Sequence, residues 1–184
     1  MKVFDSLCDE VAELLKSGAV GVIPTDTVYG VASCLSHEDA VGRIYKVKER
    51  PSSKPVGTII IADANQLKNK VKTDFVDGAK RYWPGTSVVL PVDESLKYAH
   101  KGYDSLPFRI PGIESLRDFL SRTGPLATSS ANKAGDQPAN TVQEAIEVFG
   151  NTVDFYVDGG DLSGRKPSKI VKIEPSGEVT IIRG

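Results

Sequence analysis

Histidine and cysteine are scarce, with two of each in 184 residues. Cys8 and Cys34 by themselves build neither a disulfide framework nor a zinc site. Cys34 has no catalytic partner in its neighbourhood, which argues against a thiol nucleophile. His37 follows a presumed helix cap and His100 sits in "KYAHKGY"; both read as surface residues, and no histidine constellation forms. No G-x-x-x-x-G-K-[ST] loop or G-x-G-x-x-G turn occurs, so both common phosphate cradles are missing. No apolar run nears the ~18 residues of a membrane span. Acids through the N-terminal "MKVFDSLCDEVAELLKSG" exclude a signal peptide, so the expectation is a cytoplasmic protein with no membrane partner. A net charge of -1 provides no global field for nucleic acid.

What remains is the chemistry of an ordinary globular chain, 40% hydrophobic and 26% charged, expected to form one domain over residues 1–184. Charge is local. Arg43, Lys46, Lys48, Arg50 and Lys54 stand against the single acid Glu49, and a second basic stretch holds Arg165, Lys166, Lys169 and Lys172. Such patches read as solvated surface or as a seat for an anionic small molecule.

Periodicity predicts a helix over residues 5–16 stopped by Gly18, a strand in "AVGVIPT", and a helix opened by Ser36 and Asp39 that runs to about Val47. "VGTIIIAD" is an apolar strand covered on both faces. Short helices near Asn65 and over 74–83 lead to the strand "PGTSVVLPV". "SLPFRIP" is extended, Glu114 to Arg122 is helical, and "GPLATSSAN" is a strand with a polar end. Thr141 and Glu144 cap a helix to Phe149. "VDFYVDGG", "SKIVKIE" and "EVTIIRG" are strands, the last two joined by a turn at Pro175 to Gly177. Without strict βαβ alternation, the fold class is α/β (α+β) with a mixed parallel/antiparallel sheet.

Several segments share one habit. In "KVKERP", Pro51 disfavours helical backbone at Arg50. An extended chain would aim Lys48 and Arg50 to the same side, one a point charge and the other a planar fork for phosphate or carboxylate. A basic helix end favoured by the dipole is the plain alternative. In "TSSAN", Thr128, Ser130 and Asn132 share a side of an extended run, or form a polar loop bonding its own backbone. "TDT" repeats the alternation with Thr25 and Thr27. "FRIP" holds Arg109 between Phe108 and Ile110, as an aimed cation or a surface arginine on an edge strand. "KPSKIV" brings Ser168 into a late strand after the turn-rich "DGGDLSGRK".

In order along nearly the whole chain, "PTDTVYG", "KER" before Pro51, "YWPGTSVVL", "FRIP", "SSAN" and "KPSKI" resemble the motifs of the YrdC/TsaC family, the threonylcarbamoyl-adenylate synthases. K-x-R or S-x-N alone carries little information; six blocks in order are specific. The resemblance implies a twisted mixed sheet flanked by helices around a concave basic cavity. It also implies condensation of L-threonine, bicarbonate and ATP to threonylcarbamoyl-AMP and pyrophosphate, for threonylcarbamoyl-adenosine modification of tRNA. Lys48, Arg50, Ser130 and Asn132 would hold ATP, with Lys48 and Arg50 catalytic. Thr25, Thr27, Arg109, Thr128 and Ser168 would contact threonine or its carbamate. Mg²⁺ would arrive with ATP, held by phosphate oxygens and water. The partners implied are the three substrates, with tRNA and a downstream threonylcarbamoyl transferase beyond them. Lys169 stands where longer members usually carry threonine, "GTIIIAD" lacks a histidine found in some relatives, and the chain reads as the short, single-domain form. Two other readings compete: a non-catalytic RNA-binding module using the same cavity, and a carbamoyl transferase related to hydrogenase maturation.

Overall fold

The computed structural model describes residues 1–174 and 176–184; Pro175, part of the expected final turn, lies outside the described residues. The strands are β1 (Lys2–Phe4), β2 (Gly21–Ile23), β3 (Gly30–Cys34), β4 (Thr58–Ile60), β5 (Ser87–Pro91), β6 (Ser105–Arg109), β7 (Leu126–Ser130), β8 (Phe155–Val157), β9 (Ile170–Ile173) and β10 (Val179–Arg183). The α-helices are α1 (Asp9–Lys16), α2 (Glu38–Val47), α3 (Thr73–Ala79), α4 (Lys97–His100), α5 (Glu114–Thr123) and α6 (Val142–Phe149).

The strands form one mixed sheet in the order β1-β8-β2-β3-β7-β4-β6-β5-β9-β10. Alternate residues of its central strands enter two cores. Val22, Val31, Ile59 and Ala127 pack on one side with Val41 and Ile44 of α2. Ile23, Ala32, Ile60 and Leu126 pack on the other with Val11 and Leu15 of α1 and Phe119 and Leu120 of α5. The period of two thus buries both faces, as "VGTIIIAD" predicts.

The expected helix over 5–16 begins later, at Asp9, because Lys2–Phe4 is spent on β1, parallel to β8. Gly18 does end it: with φ +90, it donates to Leu15 O while Ala19 N donates to Leu14 O, a Schellman motif. At α2 neither Ser36 nor His37 makes a side-chain cap; Glu38 and Asp39 in its first turn meet the helix dipole instead. At α6 Thr141 caps Glu144 N, but the Glu144 carboxylate reaches Asn140 N, one residue before the cap. His100 is buried, contrary to its surface reading: α4 carries it inward, and its Nδ1 accepts from Gly102 N and Asp104 N.

One connection explains the curvature. Residues 158–169 join β8 to β9, seven places apart in the sheet. A flat sheet would demand roughly 34 Å at ~4.8 Å per strand. Twelve residues reach about 40 Å fully extended, yet this segment turns at Gly160 and Gly164, both with positive φ. The sheet therefore curls, and the segment links its two ends as a strap. Tyr29 pins it by donating to Gly160 O at 2.8 Å and accepting from Gly159 N at 2.7 Å.

Where the chain enters β4, Gly57 has φ +144, and a Cβ there would lie 2.2 Å from Thr128 O. Gly57→Ala should therefore cost about 2 kcal/mol or more, through strain and overpacking. Urea denaturation measures it, and an unchanged midpoint would contradict the close approach.

Candidate functional site

The concave face holds a cleft of ≈ 470 Å³. Strand register decides which side chains line it. Thr58 pairs with Thr128, Gly30 with Ser130, Ile60 with Arg109, and Val89 with Pro107. All of these positions share one face by alternation and all border the cleft. It is the part of that face that α1 and α5 leave uncovered. Thr25 to Tyr29, Arg50 and Gly57 close one side; Pro167, Ser168, Ile182 and Arg183 close the other.

Of the sequence-predicted residues, the cleft gathers Thr25, Thr27, Arg50, Arg109, Thr128, Ser130 and Ser168. Lys48 and Asn132 stand behind its wall. The Asn132 amide donates to Lys133 O and Asp136 O, while its Oδ1 accepts from Ser130 Oγ at 2.5 Å. Lys48 is 3% exposed; its ammonium donates to Ser130 O and, at 2.6 Å, to Asn132 O.

The extended geometry expected of Lys48 and Arg50 is not the one observed. Lys48 keeps helical backbone and Glu49 takes φ +51, with Glu49 N donating to Lys46 O and Arg50 N to Tyr45 O. This is the Schellman ending of α1 repeated with glutamate in place of glycine. It sends the two cations apart, Lys48 inward and Arg50 to the cleft, where Nη1 donates to Val56 O at 3.2 Å and Ser129 Oγ at 3.3 Å. Lys133 completes a reciprocal clamp: its ammonium donates to Val47 O and pairs with Glu49, both at 2.8 Å. The basic run disperses further at Arg43, which forks onto Asp154 at 2.8 and 2.9 Å.

"TDT" is likewise a turn between β2 and β3 rather than a strand end. Thr25 Oγ1 donates to Val28 O at 2.6 Å and accepts from Thr27 N at 3.1 Å. The turn projects Asp26, which the sequence reading passed over. Its Oδ2 meets Arg109 Nη2 at 2.6 Å and Gly112 N at 2.7 Å, with both side chains at least nine-tenths buried. Asp26 Oδ1 and Arg109 Nε are buried without hydrogen-bond partners. One acid flanked by two threonines, opposite one aimed arginine, was the available signal. Trp83 Nε1 donates to Phe108 O at 3.2 Å and Gly85 N to Ile110 O at 2.9 Å, bracing the backbone on either side of Arg109. Arg183 was missed as well; its Nε donates to Ser168 O at 2.9 Å and its Nη2 lies 3.3 Å from Ser168 Oγ. Ser168 Oγ in turn bonds Ser87 Oγ at 2.8 Å. Lys169 points out to solvent, so that departure from the motif does not touch the cleft.

Burial, then the Arg50 and Lys133 charges, pull the Lys48 pKa down to about 8. Burial, then Arg109, lower that of Arg183. Burial pushes Cys34 up to about 11, which leaves its thiol inert. Among the described residues no three His, Cys, Asp or Glu side chains group as metal ligands, and the cleft's one carboxylate is committed to Arg109.

A cleft of this size, lined by three arginines, one carboxylate and several hydroxyls on a curled mixed sheet, has the dimensions and the polar groups that suit a small anionic molecule. Residues 13–184 match the Sua5/YciO/YrdC family, described as "Telomere recombination". The chain belongs to that family. It is 31% identical to a threonylcarbamoyl-AMP synthase of Pseudomonas entomophila (strain L48), over 92% of this chain and 94% of the relative. It superposes on P. abyssi Sua5 complexed with L-threonine with a TM-score of 0.85 and 27% identity, covering 99% of this chain. A variant of P. abyssi Sua5 gives 0.88 at 26% identity, covering all of it. The chain spans 56% and 57% of those two structures.

Two variants separate the wall from the cleft. Lys48→Ala takes away the ammonium that bonds the buried Asn132 carbonyl and one of the two donors to Ser130 O, and should lower stability by about 2 kcal/mol; Arg50→Ala should leave the melting temperature nearly unchanged. A melting temperature lowered as much by Arg50→Ala would contradict this division. Lys48 also sets a pH signature. Below about pH 8 it is charged in both folded and unfolded chains, and burial of that charge costs stability. Between about 8 and its ordinary 10.5 the folded chain alone sheds the proton, so the penalty fades as pH rises. Wild type should gain stability relative to Lys48→Met across that window. A flat difference would contradict the burial of the charge.

Proposed function

We propose that this chain is a threonylcarbamoyl-AMP synthase, a nucleotidyltransferase that joins L-threonine, bicarbonate and ATP into threonylcarbamoyl-AMP with release of pyrophosphate. The observation that carries the reading is the convergence of Arg50, Arg109 and Arg183 on one cleft with a single, already paired carboxylate. The names of the relatives support it, as does the L-threonine bound to P. abyssi Sua5.

The chemistry asks for positioning more than for proton transfer. Carbamate forms from threonine's amine and bicarbonate with loss of water; it is short-lived and must meet the nucleotide before it decays. Its oxygen attacks the α-phosphorus, the bond to the bridging oxygen breaks, and pyrophosphate leaves with the electron pair. Two anions must approach, and fixed cations offset their repulsion. Arg50, with Ser129 and Ser130 beside it, holds the phosphates. Arg109, Thr25, Thr27, Thr128 and Ser168 hold threonine and the nascent carbamate. Lys48 and Asn132 act from behind, fixing the backbone of 130–132. Mg²⁺ enters as part of the nucleotide substrate, since the cleft's carboxylate is occupied. Each charge-assisted hydrogen bond contributes roughly 1.5–3 kcal/mol. Three or four selective for the transition state reach a barrier reduction of ~8 kcal/mol, the low end for enzymes. The product would feed the modification of tRNA in the cytoplasm through a downstream threonylcarbamoyl transferase.

The test is pyrophosphate release with threonine, bicarbonate and ATP, each omitted in turn; release that ignores threonine would overturn the assignment. Arg50→Ala should nearly abolish the activity. Ser130→Ala, one neutral hydrogen bond of about 0.5–1.5 kcal/mol, should slow it by roughly threefold to tenfold. Full activity in Arg50→Ala would remove that residue from the reaction.

A further inference from the structure

A second cleft, of ≈ 450 Å³, opens on the other face of the sheet and shares no lining residue with the first. Ile170 borders the first cleft; at an odd step along β9, alternation turns Ile173 to the opposite face. Val179 of β10 pairs with Ile173 and joins it there. Phe75 of α3 and Tyr82 just beyond it complete the apolar walls. All four side chains are half-buried, with one flank on the core and the other on the opening. The volume lies in the ordinary range for small-molecule sites.

Gly78 keeps this cleft open. Glycine within a helix is less stable than alanine. Nothing in the backbone of α3 demands it: its φ lies outside the left-handed region, and an added Cβ would meet only Ile173 Cδ1, at 3.5 Å, an ordinary contact. Alanine would fit and strengthen the helix, but its methyl group would project between the walls. The rim is polar and incompletely paired. Glu174 is taken by Lys172 at 2.9 Å, and on α3 Asp77 is taken by Lys80 at 2.6 Å. Among the described residues Lys72, Arg81 and Asp74 have no ion-pair partner, and all three are exposed at the cleft. The opening thus offers aromatic surface, two free cations and one free carboxylate.

We infer that this second cleft binds a nucleoside monophosphate unit. A planar base suits the aromatic and aliphatic walls. The phosphate, nearly a dianion at neutral pH, suits the two free cations, with Arg81 supplying a fork and Lys72 a point charge. Ribose hydroxyls are donors, and the Asp74 carboxylate accepts from them. An aliphatic anion would leave the ring walls unused, and a neutral aromatic would leave both cations unused. The same unit occurs free and within single-stranded RNA. The inference stands apart from the function proposed above, since neither Arg50 nor Arg109 takes part.

Amide chemical shifts of isotope-labelled protein, followed while AMP is added, test it. AMP should produce saturable shifts at Phe75, Gly78, Ile173 and Val179, distinct from any at Thr128 or Ser130 in the first cleft. Gly78→Leu, which fills the second cleft, should abolish them, and the spectrum itself shows whether that variant folds. Arg81→Gln, at an exposed position, should weaken binding about tenfold. Adenosine and ribose 5-phosphate, which lack the phosphate and the base in turn, should each bind at least about tenfold more weakly than AMP. The trinucleotide ApApA separates the two sources. Tighter binding than AMP assigns the cleft to RNA and weaker or equal binding to free nucleotide, and the nucleotide chemistry stands in either case. Shifts confined to the first cleft, no saturation at millimolar AMP, adenosine binding as tightly as AMP, or binding untouched by Gly78→Leu or Arg81→Gln would overturn the inference.

Discussion

A lysine ammonium taken out of water onto two main-chain carbonyls organises the rest of the site. Lys48 ties the end of α2 to Ser130 and Asn132, and Lys133 ties the 130s segment back to Val47 and Glu49. Each lysine bonds main-chain oxygens of the other's segment. The arrangement carries a desolvation cost, seen in the lowered pKa of Lys48, and returns a fixed relation between α2 and the end of β7. Arg50 is the residue that depends on that relation. It leaves the helix two residues after Lys48 and arrives beside Ser129, in the wall of the cleft, with no acid among the described residues paired to it.

The charge pattern of the cleft follows a related economy. Arg109 is held by Asp26 and braced through its neighbours by Trp83 and Gly85, so it is rigid and nearly neutralised. Arg183 and Arg50 make weaker contacts with neutral oxygens and keep their charge. The strap from β8 to β9 sets the distance between the two ends. Tyr29 anchors its glycines beside the "TDT" turn, and Ser168 at its far end meets Arg183.

Much of this was legible in the sequence, because strand alternation and short apolar runs obey local rules. Thr128 and Ser130 share a face as their spacing predicts, and "VGTIIIAD" is buried on both sides. What was misread concerns backbone reversals. Lys48 and Arg50 diverge because Glu49 adopts a left-handed conformation that glutamate seldom takes, which no propensity signals. "TDT" was read as strand because its hydroxyls alternate; in the fold they close a turn. Asp26 escaped notice because its partner lies 83 residues away, and Arg183 because a bulge, invisible in composition, reverses its face. His100 looked exposed for want of the helix that buries it.

Glu49 has a consequence of its own. Glycine at that position would adopt the same backbone without strain, the ordinary route to a sturdier protein. It would also release Lys133 from its carboxylate and loosen one half of the clamp. Sturdiness and readiness for work are thus opposed at a single side chain. A family member drifting toward higher thermal tolerance has reason to leave this awkward residue alone.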